Sequence, residues 1–433
     1  MRLPPGGGRV KLSAADLEML EGRRGEAARF AMSIIVQMAE VVGADELLTI
    51  AQAHLDACAL MSQSSLEFIE YLTRHDGRVQ VPTTLNMVSL DLDNWRKLRI
   101  PRSFGEMATR IAEGYLRLGC IPTWTCAPYQ GYLTPRFGQQ IAWGESNAIA
   151  YANSVLGART NRYGDYMDVC AALTGRVPKA GLHVPENRRG QVLVRVHDVE
   201  PALWHDTAAW AAFGHVLGHL VGSRIPVIHG LPQNASGDQL KALAAAAASA
   251  GAVALFHAIG LTPEAPSLNV AFQGGLPQET VDVGSAELAS AWADLSDAAG
   301  GDRLDALILG CPHFSYAELE ALAEVISDLR PERVHPKVQM MVMTNAAAHA
   351  LAARRGLVET VERFGATVIL DTCPFHFPIV RKRTRVVMTN SGKCAYYAPG
   401  ELGVRVAFGS LRDCIRSATS GTVVLEHFPW KDV

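Results

Sequence analysis

Three of the eight cysteines lie in proline-containing loops, where their thiols could act as metal ligands or nucleophiles. Cys126 lies in GCIPTWTCAPYQGYLTP (119–135), a stretch too rich in proline and aromatic residues for a helix or a long strand. Cys311 and Cys373 each follow a strand-like apolar run and immediately precede a proline. Because ligands of open parallel sheets bind outside the carboxyl ends of the strands, these cysteines could converge on one site.

Three thiolates with an open coordination position suit iron, or an iron–sulfur cluster whose remaining iron site binds substrate. The spacing alone is weak evidence, since no local C-x₂-C pattern is present and cysteine is often a small buried hydrophobic residue. Two other classes stay open from the residues. One is a metal-free enzyme in which Cys126 is the nucleophile and His54 or His183 the base. The other is a non-catalytic scaffold or ligand-binding subunit whose partner performs the chemistry.

Polar side chains are dense in the same loops and suit the binding of a small carboxylate, for which arginine is the bidentate anchor. Either Glu145 or His183 could transfer protons. Each residue taken singly also has an ordinary interpretation as a core histidine or a helix cap. The predicted substrate-binding residues are His54, Thr83, Thr84, Asn86, Tyr129, Ser146, Asn147, Arg159 and Ser391.

The elements that must position these residues indicate an α/β fold with at least two sheets. The first 75 residues are predicted to be helical, with Ser13 as an N-cap, and VQVPTTLN is predicted to be a strand that ends at Pro82. From residue 191 onward, strands and helices alternate as in parallel βαβ units. We expect domains at 1–190, 191–295 and 296–433. Neither G-x-G-x-x-G nor a Walker A motif occurs.

Composition excludes several classes. The chain has 433 residues, of which 48% are hydrophobic and 19% charged, and its net charge of -3 argues against a nucleic-acid surface. The basic run at 381–385 is predicted to be a solvated segment between two strands. The apolar segment 240–261 is alanine-rich, which predicts a helix and a buried strand rather than a membrane span. Without a signal peptide or a disulfide framework, we expect a reducing cytoplasm.

Several segments, taken together, are highly specific. From about residue 10 to about residue 420 the chain resembles, in colinear order, the large subunit of the aconitase X family, the divergent branch of the aconitase superfamily. The segments that carry the resemblance are AHLDA, VPTTLN, TWTCAPYQ, GESNAIAYANSVLGARTNR, GCPHFSYAEL, DTCPF and TNSGKCAYYAPG.

The resemblance implies an aconitase-like fold of three α/β/α domains around a cleft, with metal ligands at Cys126, Cys311 and Cys373. The implied cofactor is an iron–sulfur cluster, with [2Fe–2S] favoured, or a mononuclear iron. Family position adds Lys393 to Glu145 and His183 as catalytic residues. The implied chemistry is dehydration of a small hydroxy acid, cis-3-hydroxy-L-proline to Δ1-pyrroline-2-carboxylate, with mevalonate 5-phosphate as the alternative substrate.

Many bacterial members carry a fused swivelling domain that, by analogy with aconitases, contributes a serine base and closes the site. Nothing after TNSGKCAYYAPG resembles such a module, so we expect this chain to lack it and to need a separate small subunit. Phe375 and His376, which follow Cys373 and Pro374, have no assignment from the resemblance.

Overall fold

The computed structural model describes residues 10–59, 61–98, 100–330 and 333–425. In this part of the chain, fifteen α-helices surround four sheets, three of which are entirely parallel. The fold class is therefore α/β, as predicted. No helix in the described ranges has the length and apolarity needed to cross a bilayer. Short 3₁₀ helices lie at Ala57–Ala59, Gly181–His183, Pro185–Arg188 and Pro201–His205.

The chain begins with helices, as predicted, and the Ser13 hydroxyl caps the first of them. The prediction that the first 75 residues are helical is wrong at Leu47–Thr49 and Ala53–Leu55, which are short strands. The three-stranded parallel sheet has the order β3-β2-β4, and β1 pairs antiparallel with β5. The helices are α1 (Ala14–Leu20), α2 (Glu26–Val41), α3 (Gln63–Arg74), α4 (Arg102–Arg117), α5 (Ser146–Ser154) and α6 (Met167–Thr174). The strands are β1 (Leu47–Thr49), β2 (Ala53–Leu55), β3 (Thr83–Leu85), β4 (Ala142–Trp143) and β5 (Arg176–Pro178).

The prediction that a strand ends at Pro82 is wrong, because β3 begins at the next residue. Proline lacks an amide hydrogen and is tolerated just before or at the first residue of a strand, where no ladder bond needs that hydrogen. The structural consequence is that Thr83 and Thr84 lie inside a buried strand rather than in a loop.

The central sheet has the order β8-β7-β6-β9. Its strands are β6 (Val192–Val196), β7 (Pro226–His229), β8 (His257–Ala258) and β9 (Glu279–Val283), and its helices are α7 (Thr207–Val221), α8 (Gly237–Gly251), α9 (Leu268–Ala271) and α10 (Ser285–Asp294). The segment 240–261 forms α8 and the buried β8, as predicted. Helices α7 and α8 approach so closely that a Cβ at Gly251 would lie 1.9 Å from the carbonyl oxygen of Gly218.

The last sheet is five-stranded and parallel, in the order β12-β11-β10-β13-β14. Its strands are β10 (Ala306–Phe314), β11 (Gln339–Thr344), β12 (Thr367–Leu370), β13 (Val386–Thr389) and β14 (Arg405–Phe408). The helices are α11 (Tyr316–Leu329), α12 (Ala346–Arg354), α13 (Leu357–Phe364), α14 (Gly392–Leu402) and α15 (Leu411–Ser420). The basic run 381–385 is largely exposed between β12 and β13, as predicted.

Two features of this last sheet prepare the site. Strand β10 is central, so its carboxyl end lies beside those of β11 and β13. Its pairing with β11 runs regularly to Leu309, then shifts and resumes only at Phe314. The intervening residues, Cys311 among them, are thereby released from regular strand pairing.

Candidate active site

A cavity of about 400 Å³ lies where the three cysteine loops meet. Cys126 reaches it from the loop after α4, Cys311 from the irregular part of β10, and Cys373 from the segment after β12. All three are partly exposed, whereas the other five cysteines are buried. The structure thus brings together the three thiols that the sequence places in separate loops.

Each cysteine loop contains a residue with positive φ just before the cysteine. These residues are Trp124 (φ 42°), Gly310 (φ 86°) and Asp371 (φ 62°). At Gly310 no side chain fits, because a Cβ would lie 2.0 Å from the carbonyl oxygen of Met343. Left-handed backbone is costly for the other two residues and is concentrated at functional sites in proteins. The loops are therefore held in a specific, strained path.

Hydrogen bonds to neighbouring elements explain why the Cys126 loop is rigid. The Thr123 hydroxyl accepts from the backbone N–H of Leu85 at 2.9 Å and donates to its carbonyl at 2.8 Å. The backbone N–H of Thr125 donates to the same carbonyl at 3.1 Å. On the other side, the Asn147 amide donates to the carbonyl oxygen of Cys126 at 3.0 Å. The loop is thus fastened to β3 and to α5.

A buried ion pair between Glu145 and Lys393 lies on the cavity wall. Glu145 is the N-cap of α5, with φ 66°, and its second carboxylate oxygen accepts from the N–H of Ala148 at 2.8 Å. Burial lowers the pKa of Lys393, but the carboxylate of Glu145, with which it is paired, acts in the opposite direction, and together with the neighbouring cysteines it leaves the pKa above its ordinary value. Lys393 is therefore a fixed ammonium, suited to binding a carboxylate rather than to accepting a proton.

Asp56 lines the cavity immediately after β2. The Asn86 amide donates to its carboxylate, and its backbone N–H donates to the carboxylate of Asp168 at 2.6 Å. Burial, with the added charges of Glu145 and Asp165, raises the pKa of Asp56 to about 7. A carboxyl group that titrates near neutrality inside a cleft is suited to proton transfer. The sequence offers Asp56 only as a polar candidate beside His54 in AHLDA, whereas its titration near neutrality comes from the surrounding structure.

Asn86 and Ser146 also line the cavity, whereas eight of the predicted residues do not: His54, Thr83, Thr84, Tyr129, Asn147, Arg159, His183 and Ser391. Several of these contact the cavity wall from behind. His183 hydrogen-bonds to Tyr163, which lines the cavity, and burial lowers the pKa of His183 to about 3. The Ser391 hydroxyl donates to the carbonyl oxygen of Cys311.

The remaining predicted residues stabilise the surrounding structure. His54 Nδ1 lies 2.8 Å from the Thr84 hydroxyl, and the Thr83 hydroxyl donates to the carbonyl of Val81. The Tyr129 ring is stacked in a buried pair with a neighbouring tyrosine. Arg159 is different, because its Nε is buried without a hydrogen-bond partner among the residues that the structure describes.

Several further residues line the cavity, and of these the sequence offered only Arg162 as a binding candidate. Arg162, Tyr163 and Asp165 come from the loop before α6, and Phe375 and His376 from the turn after Cys373; Tyr397 and Glu401 lie on α14. The turn after Cys373 places His376 at the cavity, and burial lowers the pKa of His376. No local pattern marks the α14 pair, because they reach the cavity only through the packing of that helix.

The cysteine set can be tested for its fit to an iron centre. In the described ranges, no three His, Cys, Asp or Glu side chains are close enough together to hold a single metal ion. The three thiols nevertheless share one cavity, and a cluster with bridging sulfides spreads its ligands over more than one iron. Burial raises the pKa of Cys126 to about 12, so its thiolate needs a nearby cation such as iron. The three cysteines are therefore suitable ligands for an iron centre.

Comparison with known proteins gives the family. Models of the aconitase X first, second and third domains match residues 9–186, 190–293 and 304–420. The chain belongs to the aconitase X family. Its fold is aconitase-like, as predicted, and the family implies iron or an iron–sulfur cluster in general.

Two curated relatives and one solved structure illustrate the range of the family. The chain is 44% identical to cis-3-hydroxy-L-proline dehydratase of Pseudomonas aeruginosa over 95% of this chain and 70% of that protein. It is 35% identical to the phosphomevalonate dehydratase large subunit of Methanosarcina mazei over 95% of this chain and 97% of that one. The holo-form structure of aconitase X from Thermococcus kodakaraensis superposes with a TM-score of 0.84 at 32% identity, covering 94% of this chain and 100% of that one.

Proposed function

We propose that this chain is the large component of a hydro-lyase that converts cis-3-hydroxy-L-proline to Δ1-pyrroline-2-carboxylate. The observation that carries the proposal is the convergence of three thiols, a carboxyl group that titrates near neutrality and a fixed ammonium on one cavity. The relatives named above are dehydratases, and the more similar of them acts on this hydroxyproline.

The charges around the cavity support an imino acid over a phosphorylated substrate. Four acidic side chains line it, those of Asp56, Glu145, Asp165 and Glu401, against two permanent cations, Arg162 and Lys393. One of those cations is already paired with Glu145. A zwitterionic ring offers an ammonium to the carboxylates and a single carboxylate to the cations, whereas mevalonate 5-phosphate carries only negative charge.

Cys126, Cys311 and Cys373 are the residues that would hold the iron centre, and their spread around the cavity favours a [2Fe–2S] cluster over a mononuclear iron. When bound, such a centre supplies Lewis acidity that makes the hydroxyl of the substrate a better leaving group.

The chain's own residues would bind the substrate and move one proton. Lys393 and Arg162 bind the substrate carboxylate, and Glu145 keeps the ammonium of Lys393 in place. Asp56, whose pKa is raised to about 7, gives its proton to the departing hydroxyl, which leaves as water. His183 acts from behind by holding Tyr163 against the cavity.

The proton on the carbon next to the carboxylate then needs a base, which we assign to a separate small swivelling subunit. Support for such a partner comes from the match to almost the whole length of a protein named as a large subunit.

All eight cysteines are free thiols, which agrees with a cytoplasmic location.

The test measures the amounts of iron and acid-labile sulfide bound per chain in anaerobically purified protein. A hydroxyproline dehydration assay with the small subunit added follows. Cys126→Ser, Cys311→Ser and Cys373→Ser should each lose the metal, whereas the control Cys414→Ser, buried outside the cavity, should keep it. If any of the three variants retained the metal, the proposal that all three cysteines bind it would be wrong.

The same experiment separates the other two classes of function. A thiol nucleophile predicts a metal-free active enzyme that is sensitive only to Cys126→Ser. The geometry opposes this alternative, because burial raises the pKa of Cys126 and neither His54 nor His183 lines the cavity that Cys126 reaches. Unchanged activity of the small subunit without this chain would instead favour a binding subunit.

A further inference from the structure

His313 contacts all three cysteine loops. It lies two residues after Cys311, and its own backbone N–H donates to the Cys126 sulfur at 3.2 Å. Its ring nitrogen Nδ1 lies 3.3 Å from the Thr125 hydroxyl, in the Cys126 loop. Its other ring nitrogen, Nε2, lies 2.7 Å from the carbonyl oxygen of Thr372, next to the third cysteine. The residue is only 2% exposed.

The chemistry of each partner fixes the direction of the hydrogen bonds around His313. A carbonyl oxygen can only accept, so Nε2 of His313 carries the hydrogen and donates to Thr372. In the neutral ring Nδ1 is then an acceptor, and the Thr125 hydroxyl donates to it. The Thr125 oxygen in turn accepts from the backbone N–H of Ala127 at 3.1 Å. One continuous series of bonds therefore runs from the residue after Cys126 to the residue before the third cysteine.

Helix α8 supports this series from behind. The buried ammonium of Lys241 donates to the carbonyl oxygen of His313 at 3.1 Å and is paired with Glu318 and, at 3.0 Å, with Asp238. Asp238 also accepts from Gln130, in the Cys126 loop, at 3.1 Å. Two of the three cysteine loops are thus fastened to the same turn of α8.

We propose that Thr125 and His313 are positioning residues that hold the three cysteine loops at the spacing an iron centre requires. The inference rests on the proposed iron centre and extends it, because neither side chain needs to touch metal or substrate. Groups that orient metal ligands through hydrogen bonds typically change metal affinity by about 10- to 100-fold when they are removed.

The experiment compares a nearly isosteric pair. Thr125→Val removes the hydroxyl and keeps the volume, whereas Thr125→Ser keeps the hydroxyl that links Ala127 to His313. His313→Leu removes both ring bonds. The matched control is His257→Gln, at another buried histidine, whose Nε2 lies 2.7 Å from the carbonyl oxygen of Arg188 and which does not line the cavity.

Three readouts are taken on the full chain: the rate of iron loss to a chelator, the visible and electron paramagnetic resonance spectra of the bound centre, and the rate of alkylation of Cys126 by iodoacetamide in metal-free protein. We expect Thr125→Val and His313→Leu to lose iron about 10- to 100-fold faster, with altered spectra and faster alkylation. Thr125→Ser and His257→Gln should behave like the wild type.

Each outcome decides one of the two proposals. A wild type that binds no iron contradicts the proposed function. A wild type that binds iron, with Thr125→Val and Thr125→Ser indistinguishable in iron release and in thiol alkylation, overturns the positioning role while leaving the proposed function standing. If His313→Leu fails to fold, as judged by its thermal unfolding, the Thr125 pair decides the question alone.

Discussion

Replacing Asp56 by asparagine should make the protein more stable and less active at neutral pH. The side chain is enclosed in the cavity wall, where burial and two neighbouring carboxylates disfavour its charge. Asparagine keeps the size of the side chain, and its amide oxygen can still accept from Asn86. The substitution removes the charge and the transferable proton together.

The magnitude follows from the pKa. The folded state raises the pKa of Asp56 from 3.8 to about 7, a shift of about 3 units, and each unit corresponds to about 1.4 kcal/mol. Below pH 4 the carboxyl group is protonated in both the folded and the unfolded state, so it causes no difference in stability between Asp56→Asn and the wild type. Between pH 4 and pH 7 the unfolded state releases the proton that the folded state keeps, so wild-type stability falls. Above pH 7 the variant should therefore be more stable by up to about 4 kcal/mol.

Urea unfolding followed by tryptophan fluorescence at pH 5, 6, 7 and 8 measures this difference. The gap between Asp56→Asn and the wild type should widen with pH and level off above pH 7. The exposed Asp45→Asn variant serves as the control and should follow the wild type. Parallel pH profiles for Asp56→Asn and the wild type would refute the reasoning, since Asp56 would then ionise in the folded protein as easily as in water.

Three further changes have definite expected results. Lys241→Met removes a buried ammonium from two half-buried carboxylates and should lower the free energy of unfolding by about 3–5 kcal/mol. Breaking the exposed pair with Arg363→Met should lower it by less than about 1 kcal/mol, both measured by urea unfolding. Gly310→Ala should lower the free energy of unfolding by more than about 2 kcal/mol, because the new Cβ would clash with the backbone of a neighbouring strand. The control Gly400→Ala, where the Cβ would lie in open space, should leave that free energy unchanged or raise it. Equal unfolding midpoints for the two variants would contradict the prediction. Lys393→Met should lower kcat/KM for hydroxyproline about 100-fold, and an unchanged value would exclude it from substrate binding.

Much of the secondary structure was predictable because its signals are local. Helices α7, α8 and α11 have apolar residues at helical spacing, and the last two begin at serine caps. The short strands β1, β2 and β4 were not predicted, because two or three residues are too few to display a period of two. Their formation depends on partners far along the chain, with which they pair in the sheet.

The candidate site divides in the same way. The proline-bounded loops of the cysteines are visible in the sequence, as is the family pattern that runs through them. The raised pKa of Asp56 cannot be seen in the sequence, because it arises from desolvation and from charges more than a hundred residues away, such as that of Asp165. The same holds for Glu401, which reaches the cavity through the packing of α14.

By itself the sequence determined the fold class, the family and the three proline-bounded cysteine loops, since these follow from residue types and their order along the chain. Only the tertiary structure decided which of them act together. Hydrogen bonds and charge interactions act over a few ångströms, and His313 comes within that range of Thr125 and Thr372 only when the parts of the chain that carry them are packed together.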